Sequence, residues 1–289
     1  MTGGSVGYEP AEHYDRVTDA WLLLMGDDLH YGVFAGGEET LPEATAALTD
    51  RMIAAAGLRH EVHPGNGARI TRRVLDVGCG SGAPACMLAD RFGVEVVGIT
   101  TSQVGVAAAR ARATELGVEG VTFEQRDGTD NGFADAEFDV VWVMESSHLM
   151  RDRHALMAEC GRVIRPGGRL VLCDLMRMRE IPFSEVRERR IDFAILRTAF
   201  GDAHIESPEI YAMAAEAQGL VVDRLDDLTS ATFPTFDRWR ANAEKHRDAV
   251  TALLGVEGLD AFVRSCDVLE DFWRDGTFGY GLISATKPA

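Results

Sequence analysis

The segment VLDVGCGSG, residues 74 to 82, indicates how this part of the chain folds. An apolar, β-branched run leads into three glycines, Gly78, Gly80 and Gly82, and a helical stretch follows. Glycine takes positive φ without strain and lets the backbone approach a ligand, and the amino end of a helix offers free N–H groups. Three glycines in five residues would weaken a fold that had no need of this close approach. The segment therefore predicts a strand, a ligand-binding loop and a helix.

Short β-branched runs alternate with helical stretches over residues 71 to 174. The predicted strands of this region are Val74–Val77, Val94–Ile99, Val121–Gln125, Phe138–Met144 and Arg169–Asp174. Strands that alternate with helices of about 10–15 residues are typical of a parallel sheet with helices on both faces. The sequence therefore predicts an α/β fold with a doubly wound sheet.

The flanking segments predict further helices around this core. Thr40-Leu-Pro-Glu43 is a capping box that starts a helix ending near Gly57, and His60–Arg69 is predicted to be a polar loop. Beyond the core, helical stretches are predicted over Glu180–Glu206, Phe236–Leu254 and Val256–Arg274, and Phe278–Thr286 is predicted to be the final strand. The helical stretches contain many aromatic residues, which favours a lid over a small ligand. We expect a single compact domain with three kinds of segment. They are an N-terminal helical cap (1–70), a core (71–179, 207–232 and 276–289) and lid insertions (180–206 and 233–275).

Composition limits the partners and the location of the protein. The 289 residues carry a formal net charge of −17, which disfavours nucleic acid and anionic membranes. Five cysteines without a C-x-x-C pair predict reduced thiols and a cytoplasmic protein. No signal peptide and no apolar run of about 18 residues is visible. His60 and His63 have the spacing of a chelate but no third ligand, so a solvated loop and no metal site are predicted.

The glycines alone leave the ligand open. Gly78-x-Gly80-x-x-Ala83 also satisfies the dinucleotide fingerprint. However, the residues about twenty positions on, 98 to 102, lack the carboxylate that binds the ribose of NAD. Asp76 lies two residues before the first glycine, where it can face a cationic amino group. No tyrosine is followed four residues later by the lysine that one dehydrogenase family needs.

Later landmarks in the chain favour one cofactor. After VLDVGCGSG come GITTS (98–102), RDGTD (126–130), FDVVWVMES (138–146) and RPGGRLVLCD (165–174). In order and spacing they resemble the class I S-adenosylmethionine (SAM)-dependent methyltransferases. The resemblance covers about residues 8 to 176. His13-Tyr14-Asp15 and Leu29-His30-Tyr31-Gly32 resemble elements of small-molecule methyltransferases of natural-product pathways, including sugar O-methyltransferases of antibiotic biosynthesis.

This resemblance implies a seven-stranded sheet of order 3-2-1-4-5-7-6, with strand 7 antiparallel, and SAM as the cofactor. The residues that it assigns to cofactor binding are Tyr14, Asp76, Gly78, Gly80, Thr100, Thr101, Ser102, Asp127, Gly128 and Glu145. Asp76 and the glycines would hold the methionine part, residues 100 to 102 the ribose, and Asp127 with Gly128 the adenine. The chain departs from the family pattern at the end of strand 2, which lacks the common acidic residue, so the ribose contacts stay open.

Methyl transfer to a hydroxyl needs a base, and His148 is the candidate. It follows strand 4, while Asp174 ends strand 5, and neighbouring strands lie about 4.8 Å apart. The carboxylate can therefore orient the imidazole, as a third group does in catalytic triads. Close sugar O-methyltransferases resemble this chain in carrying histidine and aspartate at these positions. His30, Phe193 and Trp239 are candidate substrate contacts, with packing in the lid as the alternative for His30.

The predicted function is transfer of a methyl group to a hydroxyl of a small natural product, either a glycoside or a polyketide-like molecule. Three alternatives remain open at this stage: a carbon, nitrogen or carboxylate acceptor, a SAM-binding cyclase that transfers no methyl group, and a pure binding module. The expected partner is a small molecule, with no nucleic acid, no membrane and a possible homodimer through the lid helices.

Overall fold

The computed structural model describes residues 10–59 and 72–289, with side chains from Val17 onward. The predicted polar loop His60–Arg69 lies outside the described residues, and so does the side chain of Tyr14.

Seven strands form one sheet in the order β3-β2-β1-β4-β5-β7-β6. They are β1 Arg73–Val77, β2 Glu95–Thr100, β3 Val121–Gln125, β4 Phe138–Met144, β5 Ile164–Arg177, β6 Val221–Asp227 and β7 Phe278–Thr286. The pairs among β1 to β5 are parallel, whereas β7 runs antiparallel to both β5 and β6. The predicted fold, strand order and antiparallel strand 7 are confirmed.

Eleven helices surround the sheet in the described part of the chain. They are α1 Pro10–Met25, α2 Leu41–Ala56, α3 Ala83–Phe92, α4 Gln103–Leu116, α5 Arg153–Val163, α6 Phe183–Glu188, α7 Arg190–Phe200, α8 Pro208–Glu216, α9 Thr229–Thr232, α10 Thr235–Lys245 and α11 Arg247–Arg274. A 3₁₀ turn, Ser147–Leu149, follows β4. Helix α11 packs against α7 and α10, which come from the predicted lid segments, and also against α1, which comes from the predicted cap. From here on, the lid means these four helices, α1, α7, α10 and α11.

The helices outside the core differ from the prediction in their ends. The helical stretch predicted over 180–206 consists of α6 and α7, and it stops at Phe200 because Gly201 takes a φ of 85° and a ψ of −162°. The first lid helix predicted after the core, Phe236–Leu254, already ends at Lys245, and α11 contains a kink at Gly255 with a φ of 75°. The division into cap, core and lid segments stays a prediction.

The register of the central strands brings their carboxyl ends to one edge of the sheet. Val77 of β1 pairs with Val143 of β4, and Met144 pairs with Cys173 of β5. The paired residues are buried on both faces of the sheet, where apolar side chains from helices cover them. The residues that follow these pairs in β1, β4 and β5 therefore lie side by side at this edge. Their positions determine where the site forms.

Helix α2 begins with the predicted capping box. The Thr40 hydroxyl accepts from the Glu43 backbone N–H at 3.4 Å, and the Glu43 carboxylate accepts from the Thr40 N–H at 2.9 Å. The Ala44 carbonyl of the same turn accepts from the Val33 N–H at 2.8 Å, which attaches the preceding loop to the helix.

We expect Thr40→Ala to lower the free energy of unfolding by about 0.5–2 kcal/mol, because it removes the acceptor at the helix start. Urea denaturation followed by circular dichroism measures this change. Thr114→Ala is the matched control, since this exposed threonine lies inside α4 and its hydroxyl only donates to the Arg110 carbonyl. A loss as large in the control as in Thr40→Ala would contradict the role of the cap.

Candidate active site

A cavity of about 770 Å³ lies between the carboxyl edge of the sheet and the lid. Pockets that bind small molecules usually have about 300–1,000 Å³, so this one is large. The sheet side contributes the glycine loop, residues at and after the carboxyl ends of β2 and β4, the loop after β3 and two residues within β5, Asp174 and Leu175. The lid contributes mainly apolar side chains, which are Trp21, Met25, Leu196, Phe200, Trp239 and Leu269.

The three glycines of the loop all have positive φ: 78° at Gly78, 52° at Gly80 and 79° at Gly82. A Cβ added at Gly78 would lie 2.2 Å from the Cβ of Ser146, and one at Gly82 would lie 2.7 Å from the ring of Phe123. These two positions therefore need glycine for packing as well as for conformation. At Gly80, by contrast, no atom lies within 4 Å of an added Cβ, so the backbone is open on this side.

Asp76 supplies an unsatisfied carboxylate at the cavity wall. The side chain is 2% exposed, and within the described ranges its Oδ2 has no hydrogen-bond partner. Burial raises the pKa of Asp76 to about 7. A buried carboxylate of this kind is costly unless a cation or donors compensate it. The amino group of a bound methionine moiety has the charge to do so, and the open backbone at Gly80 leaves room for it, so these residues fit SAM.

The predicted ribose and adenine contacts also lie along the cavity. Thr100, Thr101, Ser102, Asp127 and Gly128 all line it. Asp127 Oδ1 accepts from the N–H and the hydroxyl of Thr129 at 2.8 and 2.7 Å, which fixes the loop after β3. Ser102 caps α4, because its hydroxyl accepts from the Gly105 N–H at 2.8 Å. These side chains could therefore hold a nucleoside, with Ser102 already engaged at the helix start.

His148 and Asp174 form a close pair at the same edge. Nδ1 of His148 lies 2.7 Å from Oδ1 of Asp174, and both residues line the cavity. The Asp174 carboxylate is fully buried. Burial opposes its ionisation, but the facing imidazole of His148 and the hydroxyl of Ser147 outweigh this effect and hold the pKa of Asp174 below its ordinary value. An ionised Asp174 accepts the proton of Nδ1, which leaves Nε2 with a free lone pair.

Glu145 occupies a strained backbone position beside this pair. Its φ is 47°, in the left-handed region that side chains rarely adopt. Oε1 accepts from the Tyr31 backbone N–H at 2.7 Å and from the Tyr280 hydroxyl at 2.6 Å. Burial raises the pKa of Glu145 to about 8, although these two donors favour its charged form. Glu145 thus joins the loop after α1 to the end of β4 and faces the cavity.

The three candidate substrate contacts lie in different places. His30 and Trp239 line the cavity, but Phe193 does not. The ring of Phe193 packs instead against those of Phe272 and Phe278, with distances of 5.2 and 6.4 Å between the ring centres. His30 is buried, and its Nδ1 lies 2.8 Å from the Tyr31 carbonyl oxygen. Burial lowers the pKa of His30, which favours the neutral imidazole.

Sequence reasoning missed several buried partners of these groups. Ser147 and Tyr211 connect to Asp174, Arg153 donates to the Ser147 carbonyl, and Tyr280 holds Glu145. Ser147 lies next to His148 and Arg153 follows it by only five residues, whereas Tyr211 and Tyr280 come from distant parts of the chain.

The described ranges contain neither a cluster of metal-binding side chains nor a membrane-spanning helix. No group of three or more histidine, cysteine, aspartate or glutamate residues could hold a metal ion within 10–59 and 72–289. None of the helices in these ranges is long and apolar enough to cross a membrane.

We expect Gly78→Ala to weaken binding of S-adenosylhomocysteine (SAH) at least about tenfold, or about 1.4 kcal/mol, because the new Cβ would displace the loop. Isothermal titration calorimetry measures the Kd. Gly93→Ala is the matched control. It also replaces a glycine with positive φ, 63°, at the end of α3, but no atom lies within 4 Å of its added Cβ. This control should lose about 1–2 kcal/mol of stability and keep the SAH affinity. Equal affinity losses in both variants would contradict a specific role of the loop.

We expect SAH to bind more weakly as the pH falls from 8 to 6, because protonation of Asp76 around pH 7 removes the charge that attracts an amino group. In Asp76→Asn this contribution is absent at every pH. The ratio of the Asp76→Asn Kd to the wild-type Kd cancels ionisation of the ligand itself, so this ratio should be largest at pH 8 and should decrease towards pH 6. A ratio that does not change with pH would exclude Asp76 as the group that titrates.

Comparison with known proteins agrees with this geometry. A family model described as a methyltransferase domain matches residues 75–172. Over 97% of both chains, the protein is 32% identical to the 27-O-demethylrifamycin SV methyltransferase of Amycolatopsis mediterranei (strain S699). Its structure is similar to that of the cyclase SpnF, with a TM-score of 0.79 and 26% identity over 96% of both chains.

The mycolic acid cyclopropane synthase CmaA1, solved with SAH, has the same fold, with a TM-score of 0.82 and 20% identity over 96% of both chains. The extent and identity of the match to the rifamycin enzyme, together with the matched domain, decide the family. The chain belongs to the SAM-dependent methyltransferases, and SAM is its cofactor.

Proposed function

We propose that the protein transfers a methyl group to a hydroxyl of a small natural product, a glycoside or a polyketide-like molecule, in antibiotic or other secondary metabolism. His148 acts as the general base of this reaction. The observation that carries the proposal is the 2.7 Å contact between His148 Nδ1 and a fully buried Asp174 carboxylate at the cavity wall.

A hydroxyl acceptor needs this base. An aliphatic hydroxyl is about as hard to ionise as water, whose pKa is near 15.7, so proton removal helps the oxygen to attack. Bound SAM supplies an electrophilic methyl group with a good leaving group. Asp174 holds the proton on Nδ1 of His148, and the imidazole therefore takes up the hydroxyl proton at Nε2. The Asp174 charge stabilises the imidazolium that results.

The apolar side chains of the lid favour a small acceptor with a substantial apolar part. Its cavity-facing residues are mainly apolar, and a cavity of about 770 Å³ is at the large end for a single small molecule. The relative from Amycolatopsis mediterranei is named for a 27-O-demethylrifamycin SV acceptor. 27-O-demethylrifamycin SV is accordingly the first acceptor to test, followed by other hydroxylated polyketide-like molecules and glycosides.

For the cofactor we propose the roles that the resemblance assigns. Asp76 with Gly78 and Gly80 binds the methionine part, residues 100 to 102 bind the ribose, and Asp127 with Gly128 binds the adenine. Glu145 contributes at the cofactor side of the cavity, and Trp239 and His30 contact the acceptor. The role of Tyr14 stays a prediction, and so does a homodimer through the lid helices.

We expect His148→Gln to lower kcat by about 10²–10⁴-fold, the usual contribution of a general base, while the Kd of SAH stays unchanged. The assay measures SAH released with 27-O-demethylrifamycin SV and with a panel of hydroxylated macrolactones and glycosides as acceptors. His154→Gln is the matched control, because this histidine is exposed on α5 and does not line the cavity.

A His148→Gln enzyme that keeps wild-type turnover on an accepted substrate would refute the base assignment. The methylated atom, identified by mass spectrometry and NMR of the product, decides between oxygen and a carbon, nitrogen or carboxylate acceptor. A product methylated on carbon or nitrogen would refute the hydroxyl acceptor even if His148 proved essential.

The similarity to the cyclase SpnF favours a second candidate, a SAM-binding family member that rearranges its substrate without methylating it. Release of one SAH per product molecule supports the methyltransferase. Product formation without SAH would instead support the cyclase.

A further inference from the structure

Two hydroxyl groups form a buried chain behind the His148–Asp174 pair. The Ser147 hydroxyl donates to Asp174 Oδ2, and the Tyr211 hydroxyl lies 2.7 Å from the Ser147 oxygen. Ser147 and Asp174 are fully buried, and Tyr211 is 1% exposed. An ionised carboxylate only accepts hydrogen bonds, and serine has one proton to give. Ser147 therefore donates to Asp174 and accepts from Tyr211, so the chain has a single direction.

The Asp174 carboxylate is saturated by donors. Oδ1 accepts from His148 Nδ1 at 2.7 Å and from the Leu175 backbone N–H at 2.7 Å. Oδ2 accepts from the His148 backbone N–H at 3.0 Å and from the Ser147 hydroxyl. An ionised carboxylate has about four acceptor sites, and these four donors fill them. If Asp174 were protonated, its hydrogen would point at the hydrogen of one of these donors. The arrangement therefore fits only the charged form.

Arg153 holds the turn that carries this chain. It is 4% exposed, and its two terminal nitrogens donate to the carbonyls of Ser147 and His204. Its guanidinium carbon lies 4.9 Å from the centre of the Tyr211 ring. The positive charge therefore lies close to both hydroxyl-bearing residues. Since a buried cation is costly alone, the negative charge of Asp174 and the positive charge of Arg153 favour each other.

We propose that Ser147 and Tyr211 are positioning residues that fix His148 in the tautomer with the proton on Nδ1, and that they do so by keeping Asp174 charged and oriented. This inference rests on the proposed function, in which Nε2 of His148 is the base. Without the two hydroxyls, Oδ2 of Asp174 keeps only the His148 backbone N–H as a donor, and the carboxylate can take a proton or rotate. The imidazole then no longer has one preferred tautomer, and Nε2 carries the proton in part of the molecules.

Among the described residues, the two hydroxyls make hydrogen bonds only to each other and to Asp174. Tyr211 is in α8 and its ring packs below the Arg153 guanidinium, a contact that phenylalanine would also make. Ser147 begins the 3₁₀ turn, but its hydroxyl bonds Asp174 and Tyr211 rather than a turn N–H. The two oxygens thus act on the carboxylate, and through it on the imidazole.

The test is the tautomer of His148, observed by NMR in full-length protein labelled with ¹⁵N-histidine. The signals that are missing from the His148→Gln spectrum are those of His148. A titration of each protein then identifies a pH at which the His148 imidazole is neutral. In the wild type we expect a single pattern, with Nδ1 protonated and Nε2 bearing a lone pair. In Ser147→Ala and in Tyr211→Phe we expect loss of this single-tautomer pattern and a fall in kcat of roughly tenfold, within the about 10²–10⁴-fold that a base supplies.

Ser265→Ala is the matched control. Ser265 is also fully buried, but its hydroxyl donates to the Phe262 carbonyl in α11. The Ser265→Ala variant should keep the wild-type His148 pattern.

The inference is overturned if Tyr211→Phe, which keeps the ring, and Ser147→Ala melt like the wild type and retain the wild-type tautomer. If Ser147→Ala does not fold, Tyr211→Phe alone decides. Failure of the base assignment is detected separately, since His148→Gln would then retain turnover whatever the tautomer result.

Discussion

The site depends on three neighbouring parallel strands, β1, β4 and β5, that end at the same edge of the sheet. Hydrogen-bond register leaves each strand little freedom, and neighbouring strands lie about 4.8 Å apart. Asp76 lies near the end of β1, Glu145 follows β4, and Asp174 lies in β5 one residue beyond the Met144–Cys173 pair. Three carboxylates therefore meet at one cavity wall, although about seventy residues separate Asp76 from Glu145 in the chain. The lid covers this edge, and it does not create it.

The three carboxylates differ in charge because they differ in donors. Asp174 has four donors and its pKa lies below the ordinary value. Glu145 has two donors on one oxygen, and burial still raises its pKa to about 8. Asp76 has an oxygen without a partner among the described residues, and burial raises its pKa to about 7. Burial raises the pKa of all three carboxyl groups, and only at Asp174 do the facing His148 imidazole, the hydrogen-bond donors and the nearby Arg153 outweigh this effect.

The sequence was sufficient for the sheet and for the residues next to its strands. Three strands, Val121–Gln125, Phe138–Met144 and Phe278–Thr286, have the predicted bounds, because a polar or glycine residue stands directly before and after each of them. The helical stretch 180–206 was predicted too long, since a mixed charged and apolar pattern does not show where Gly201 ends the helix. Tyr211 was missed because it reaches Ser147 across 64 residues, and only the packing of α8 brings the two together.

The same structure joins the proposed acceptor pocket to His148, the proposed base. Leu196 and Phe200 of α7 line the cavity, and so do Gly201 and Ala203 in the segment that follows this helix. In that segment the His204 N–H donates to the His148 carbonyl at 2.7 Å, and the His204 carbonyl accepts from Arg153 at 2.6 Å. A change in the lid that displaces this segment therefore removes one hydrogen bond from the turn that carries His148 and one from Arg153, which holds that turn. We therefore expect substitutions in the proposed acceptor pocket to affect the proposed base as well.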